Sequence, residues 1–404
     1  MLAGLARLIA KPRIAVAIAV ALVLTALGFG IHGFGNPLGT DYLATLTGSH
    51  LLAAHQCLYC LGSQIAVQSQ LLHQGIGLPD AYFGPPALAL IAQPLTLLSP
   101  QAGFALFTVL SLIAAATAAF IAWQLMGGSA GSWQRLALVA LAVFSLPAAW
   151  NYWLAQWDAL LLLAVMGSAV VLTHGRPVLA GIALSILVMK PQTMWLIPIV
   201  LAISGQWRVL IGALSGAAAW LVSSFALVGV DQLAQWPSLI AVRAPAVSSS
   251  IGVPGLAAMV GGDRVAVPVA IACALAGAGL CFRLRRQLSA TPVLALAFGI
   301  ALSFAAAPHI FAYDLVILAL PICILGTLRM QAALGCAALL SAGYLVDHYV
   351  ALTSAPFETL GVLLTLALLV RALAAVRTHM TAEEGIFRES AKSAATEFSY
   401  RASP

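Results

Sequence analysis

The chain has 404 residues, 62% of them hydrophobic and 7% charged, with a mean hydropathy of +1.03. A soluble domain carries about 25% charged residues, so this composition excludes a water-soluble globule and specifies an all-α polytopic membrane protein whose size is counted in spans. The formal charge of +6 comes from 18 basic residues dispersed along the chain, with no cluster dense enough to track a phosphate backbone, which excludes a nucleic-acid partner.

In chain order, apolar runs that can cross a bilayer lie at 14–31, 102–126, 136–150, 159–173, 178–189, 191–203, 209–230, 265–282, 292–308, 310–328, 331–346 and 357–376. A perpendicular crossing takes about 20 residues, so several of these about 12 helices must borrow flanking residues or tilt. The first run follows Arg7, Lys11 and Arg13 and lacks a clear small-residue cleavage site, so it reads as an uncleaved span rather than a leader. Two further apolar pieces, 86–98 and 251–260, are too short and too broken by Pro and Gly to cross, and read as re-entrant or surface-lying helices. The loop 32–84 is long and mildly polar, with leucines near helical spacing, which predicts amphipathic helices on the outer interface. The segment 231–264 reads as a second sizeable outer loop. Residues 1–377 form one integral membrane domain, and the polar Ser/Ala/Glu-rich tail 378–404 reads as disordered.

Charge sets the expected orientation. With a cytoplasmic N-terminus and alternating runs, Arg7, Lys11, Arg13, Arg135, Arg176, Arg208, Arg283, Arg285, Arg286, Arg329, Arg371, Arg377, Arg388, Lys392 and Arg401 all fall inside. Only Lys190, Arg243 and Arg264 fall outside. This is the bias of the positive-inside rule, and it puts both termini in the cytoplasm of a multi-pass protein of the bacterial inner membrane. Asp41, Asp80, Asp158, Asp231, Asp263, Asp314, Asp347 and Glu358 sort to the outer side, where acids have little topological effect, so an extracytoplasmic active face is the natural reason for them.

Several outer residues can carry chemistry. Asp41, just after the first span, is placed to take a proton from a hydroxyl, a service worth about 10²–10⁴ in rate; a helix N-cap is the competing role. Lys190 joins two runs of only about 18–20 Å at helical rise. An unpaired ammonium at mid-depth costs about 2.5–3.5 kcal/mol, so either an anionic ligand compensates it or it snorkels to the headgroups. His309 and Asp314, in Pro308-His-Ile-Phe-Ala-Tyr-Asp314, stand at an outer junction, and an intramembrane acid is a functional candidate by default. Asn151, Gln156 and Asp158 can hydrogen-bond sugar hydroxyls, whereas Trp150, Trp153 and Trp157 read as interfacial anchors. Arg243 and Arg264 can hold a lipid phosphate or outer headgroups. Cys57-x-x-Cys60 lacks a second ligand pair for a metal and reads as a local disulfide or as helix neighbours. The other four cysteines lie in apolar runs and behave as small hydrophobes.

Four ordered segments together resemble glycosyltransferase family 87 of the GT-C superfamily, the polyprenyl-phosphate-mannose-dependent mannosyltransferase-like membrane enzymes. They are Asp41; Phe83-Gly-Pro-Pro-Ala-Leu-Ala-Leu with Pro94 and Leu97-Leu-Ser-Pro100; Gln156 with Ala180-Gly-Ile-Ala-Leu and Met189-Lys-Pro191; and Pro308-His309 with Tyr313-Asp314 and Pro321. The chain departs from that pattern where Ala155-Gln156-Trp157-Asp158 stands for Gly-Gln-x-Asn and Phe83-Gly84-Pro85-Pro86 for Tyr-Pro-Pro. The resemblance implies a GT-C-type bundle and inverting transfer of a hexose, mannose first, from a polyprenyl-phosphate sugar to a glycolipid or glycan acceptor among membrane lipids. Asp41 and His309 would be catalytic. Lys190, Gln156, Asp158, Asn151, Arg243, Arg264, Tyr313 and Asp314 would bind substrate, with no metal or other cofactor. Two alternatives stand beside it: a transporter or lipid flippase for an anionic or lipid-linked substrate, and a polysaccharide polymerase or ligase.

Overall fold

The computed structural model describes residues 11–33, 41–127, 131–243, 246–349 and 355–375, without the side chains of 29–33, 241–243 and 349. The expected disordered tail 378–404 lies outside the described residues. Every regular element among the described residues is helical. Five helical stretches among the described residues are long and apolar enough to cross a membrane: Pro100–Leu125, Trp207–Ile240, Asp263–Arg283, Pro356–Ala375 and Ala312–His348, the last of which is broken at Arg329. The pair Ser132–Val143 and Leu146–Leu154, bent by 44°, makes a sixth if it is one broken span. Other expected runs fold as shorter apolar helices, among them Asp158–Thr173, Pro177–Met189, Pro191–Ile203 and Pro292–Ala306. Large apolar side chains such as Ile113, Phe120, Leu221, Val222 and Leu275 point outward, exposed. An apolar face of that extent belongs in lipid, where helices satisfy their own backbone groups.

The first helix, Pro12–Gly33, buries Ala15, Ala19, Leu22 and Ala26 in the main core, against the helices beginning at Pro100, Ser132 and Leu146. It is thus a structural member of the bundle. The runs 310–328 and 331–346 are continuous in hydrogen bonding but turn sharply at Arg329, whose φ and ψ are −151° and 77°. A Cβ built on Gly326 would lie 3.8 Å from that of Ala333; seven residues of straight helix would separate them by about 10 Å. The chain therefore folds back there, as two separate runs require.

The segment 231–264, expected as a second outer loop, differs from expectation. The helix that begins at Trp207 does not stop at residue 230 but continues to Arg243. It is redirected at Gly229, whose φ of 76° and ψ of 168° glycine adopts without a Cβ penalty. Its last turns lie over the segment 41–84: Leu58 donates its N–H to Gln232 Oε1 (2.7 Å), and Trp236 Nε1 donates to the Phe83 carbonyl (2.8 Å). The segment 41–84, expected to carry amphipathic helices, holds Asp41–Ala53 and Leu61–Leu72; the first is buried on every side from Tyr42 to Ser49 and is not amphipathic, and residues 34–40 are outside the described residues. Between these helices Cys57 and Cys60 form a disulfide. Gln64 and Gln68, both buried, bond the backbone of 80–82: Gln64 Oε1 accepts from the Tyr82 N–H (2.9 Å), and Gln68 pairs with both backbone groups of Asp80. Two amides thereby fix an irregular strip of chain that would otherwise leave its polar groups unpaired.

Close helix packing rests on glycine. A Cβ on Gly212 would meet the Val178 carbonyl oxygen at 2.1 Å, and one on Gly181 the Val209 carbonyl oxygen at 2.1 Å. Gly212 and Gly216 form the small-xxx-small spacing that lets membrane helices approach backbone to backbone. Gly212→Val should cost at least about 1–3 kcal/mol through overpacking, whereas Gly62→Ala, with nothing within 4 Å of the added carbon, should be nearly neutral. Thermal unfolding of the two variants in detergent checks the contrast; equal melting temperatures would show that this crossing is not a tight contact.

Candidate functional site

Four breaks in helical structure meet at one end of the bundle. Helix Leu146–Leu154 ends at Ala155 in the left-handed region (φ 50°, ψ 52°), where the Gln156 N–H returns to the Asn151 carbonyl (2.9 Å). The chain then restarts at once as Asp158–Thr173. Pro191 keeps the residue before it out of the helical region, and Lys190 sits at φ −133°, ψ 74° between two 3₁₀ turns, Ser185–Met189 and Pro191–Thr193. Helix Pro292–Ala306 stops short of Pro308, and a 3₁₀ turn begins at Ala312. The fourth break is the N-terminal end of Asp41–Ala53.

At their junction the Lys190 ammonium lies 2.7 Å from Asp158 Oδ2 and 2.8 Å from Asp314 Oδ1. Both carboxylates are fully buried and the lysine is 15% exposed. Asn151 Nδ2 donates to the same Asp158 oxygen (3.0 Å), and Asp314 Oδ2 accepts the Phe311 N–H (2.8 Å). The Tyr313 ring lies under the ammonium, 4.7 Å away. Lys190 is therefore compensated by two of the protein's own carboxylates rather than by snorkelling. Two ammonium hydrogens are committed to them, leaving the third for the cavity.

That cavity, about 320 Å³, is bordered by Asp41, Gln156, Lys190, His309 and Tyr313, with Tyr82, Trp157 and Trp236 among its aromatic walls. Gln156 Nε2 donates to Asp41 Oδ2. Asp41 stands at the mouth, touching solvent yet ringed by protein; lost hydration pushes its carboxyl up to about 6, opposed by the Lys190 charge and reinforced by Asp80. Burial also holds the His309 imidazole below its usual value, so the neutral ring presents one N–H and one acceptor. Among the described residues, no three His, Cys, Asp or Glu side chains group as metal ligands.

Eight of the ten residues singled out from sequence thus converge: Asp41, Asn151, Gln156, Asp158, Lys190, His309, Tyr313 and Asp314. Arg264 does not; it is exposed in the turn Asp263–Val265, away from the cavity. Arg243 closes its helix with a side chain outside the described residues. Trp157 is corrected from interfacial anchor to cavity wall, packed edge-on against Phe107 (5.0 Å) with its N–H near Thr45 Oγ1 (3.4 Å). Sequence reasoning missed Trp236, which stacks on Tyr59 (5.7 Å), and Gln192 beside Lys190. The Met189-Lys-Pro191 break was the available signal for Gln192; nothing local marked Trp236.

These features define an integral membrane protein, all-helical in its described residues, with a polar cavity assembled at helix breaks. Residues 82–308 match glycosyltransferase family 87. The match covers more than half of the chain, and the chain belongs to that family: it is a membrane glycosyltransferase, not a transporter. The chain matches no curated protein and no solved structure. The family match begins after Asp41, so that residue enters the site through geometry rather than through the matched segment.

The buried cluster makes an asymmetric prediction. Lys190→Met leaves two uncompensated carboxylates and should lower stability by about 3–5 kcal/mol. Asp158→Asn keeps a one-to-one pair and should cost clearly less. Thermal unfolding of both variants in detergent tests this; a loss for Asp158→Asn as large as for Lys190→Met would show that the ion pairs do not hold the junction.

Proposed function

We propose that the protein transfers a hexose, mannose first, from a polyprenyl-phosphate sugar to a hydroxyl of a glycolipid or glycan acceptor on the extracytoplasmic face of a bacterial inner membrane, with both termini cytoplasmic. The observation that carries this reading is that a carboxylate able to accept a proton and two N–H donors able to receive a phosphate, Lys190 and His309, border one cavity. Asp41 removes the acceptor hydroxyl proton as that oxygen attacks the anomeric carbon from the face opposite the phosphate. The bond from the anomeric carbon to the phosphate oxygen breaks, its electron pair leaves with the polyprenyl phosphate, and the configuration inverts.

Charge growing on the leaving phosphate is the main electrostatic demand of such a step. The free ammonium hydrogen of Lys190 and an imidazole N–H of His309 meet it, and no metal enters the scheme. Gln156 orients the Asp41 carboxylate through its hydrogen bond, and Tyr313 keeps the ammonium from drifting. Trp157, Tyr82 and Trp236 offer flat apolar surface to a sugar ring or an isoprenoid. The Cys57–Cys60 disulfide beside the cavity supports the outward orientation, since disulfides persist in oxidising compartments.

Transfer of radiolabelled mannose from polyprenyl-phosphate mannose by the purified protein tests the reading. Asp41→Asn should lower turnover by about 10²–10⁴-fold without changing the melting temperature; wild-type turnover in that variant would remove Asp41 from the reaction. Because the base must be ionised and its carboxyl sits at about 6, kcat/KM should be flat above neutrality and fall about tenfold per pH unit below about 6. A profile flat down to pH 5 would assign the limiting proton transfer elsewhere.

A further inference from the structure

A second cavity, about 440 Å³, opens behind the first and shares two wall residues with it, Phe311 and Tyr313. Its other walls include Trp150, Tyr344, Asp347, His348 and Glu358. The His348 ring is held between Trp150 (5.4 Å, edge-on) and Tyr344 (5.4 Å, stacked), so the aromatic surface is rigid. Asp347 is spent on structure: it accepts the N–H groups of Phe357 (3.1 Å) and Glu358 (2.9 Å) and so caps the helix Pro356–Ala375. Glu358 is not spent in that way. It is 2% exposed, and its Oε1 has no hydrogen-bond partner among the described residues. A buried carboxyl oxygen left without a hydrogen-bond partner costs about 1–3 kcal/mol, so a group brought by a ligand is its natural partner.

The chemistry of that ligand follows from the walls. None of the cavity's described lining residues is lysine or arginine, so nothing among them pairs with a phosphate, which is left to the Lys190 side. A neutral molecule rich in hydroxyl donors fits: its O–H groups donate to Glu358, and the apolar face of its ring packs on Tyr344 or Trp150. The wall is also tied to the first cavity. The Ile251 N–H donates to the Ile310 carbonyl (2.7 Å), next to His309, and the Gly252 N–H donates to Thr359 Oγ1 (2.9 Å), next to Glu358.

We infer that this second cavity, built on Glu358, Tyr344 and Trp150, binds a sugar residue of the acceptor adjoining the one that receives the new hexose. The enzyme then extends a glycan of at least two sugars rather than starting one. This rests on the proposed transferase reading for the identity of the acceptor, but occupancy of the cavity can be read without turnover.

Octyl α-mannoside and octyl α-mannotrioside, each carrying a diazirine on the sugar farthest from the reacting hydroxyl, are photo-crosslinked to the full-length protein in nanodiscs and mapped by mass spectrometry. The trioside should label peptides containing 246–252 or 344–358, and the monoside only peptides lining the first cavity. Glu358→Gln and Tyr344→Ala should each cut the trioside labelling at least fivefold and raise the trioside KM about tenfold, with transfer to the monoside unchanged. Identical labelling by the two compounds, no labelling of the second cavity, or an unchanged trioside KM in both variants would overturn the inference. Labelling is repeated on Asp41→Asn, so that labelling which persists while the wild type transfers mannose to neither compound refutes the transferase reading and leaves the subsite standing.

Discussion

One buried ammonium organises this molecule. Lys190, Asp158 and Asp314 come from three separate breaks in helical structure, and their ion pairs of 2.7 and 2.8 Å are the polar contacts that bring those breaks to one point. Charges taken from water lose several kcal/mol each unless geometry and extra hydrogen bonds repay them. Here Asn151 and the Phe311 N–H supply those extra bonds. Asp158 Oδ1 and Asn151 Oδ1 nevertheless stay buried without a hydrogen-bond partner among the described residues, so the cluster leans on its one cation, and loss of it strands the rest. That dependence explains why the helices around it can be short: Pro177–Leu184 and Ile197–Ile203 are too short to cross alone, and irregular backbone at membrane depth is tolerated only where protein or a wet cavity satisfies it.

Much of this was legible in the sequence, because hydrophobic length and X-Pro breaks are local signals. The runs, the proline after Lys190 and the need to compensate that lysine could all be read directly. What compensated it could not: Asp158 and Asp314 lie 32 and 124 residues away, and pairing across such separations is decided by tertiary packing. Trp157 was misread for the same reason, since an interfacial tryptophan and one lining a cavity have identical local context. The helix beyond residue 230 was hidden by its polarity. Asp231, Gln232 and Gln235 look like a loop until the Leu58 segment that Gln232 bonds is known.

The departures noted in the Ala155-Gln156-Trp157-Asp158 stretch acquire physical content. Ala155 occupies a left-handed conformation, where a Cβ carries a penalty of about 1–2 kcal/mol and glycine none. Its methyl is buried with Tyr42, Leu46 and Phe104, so packing offsets part of that strain. Asp158 in place of an asparagine raises the cluster to two carboxylates for one lysine. Asp314, the cluster's other acid, disfavours ionised Asp41, and the lysine that favours it is shared between the two acids.

That sharing bears on the proposed chemistry. A base held far below neutrality by an undivided lysine would ionise readily but accept a proton poorly, and one buried without any cation would stay protonated and idle. Proton transfer is most effective when the base titrates near the working pH. Asp41 sits between these extremes: dehydration at the cavity mouth lifts it, a lysine committed to two other acids lowers it only in part, and the balance is about 6. The same ion cluster that closes the helix breaks therefore also sets the strength of the proposed base, because the ammonium that holds the three segments together is, among the described residues, the cation whose charge favours ionised Asp41.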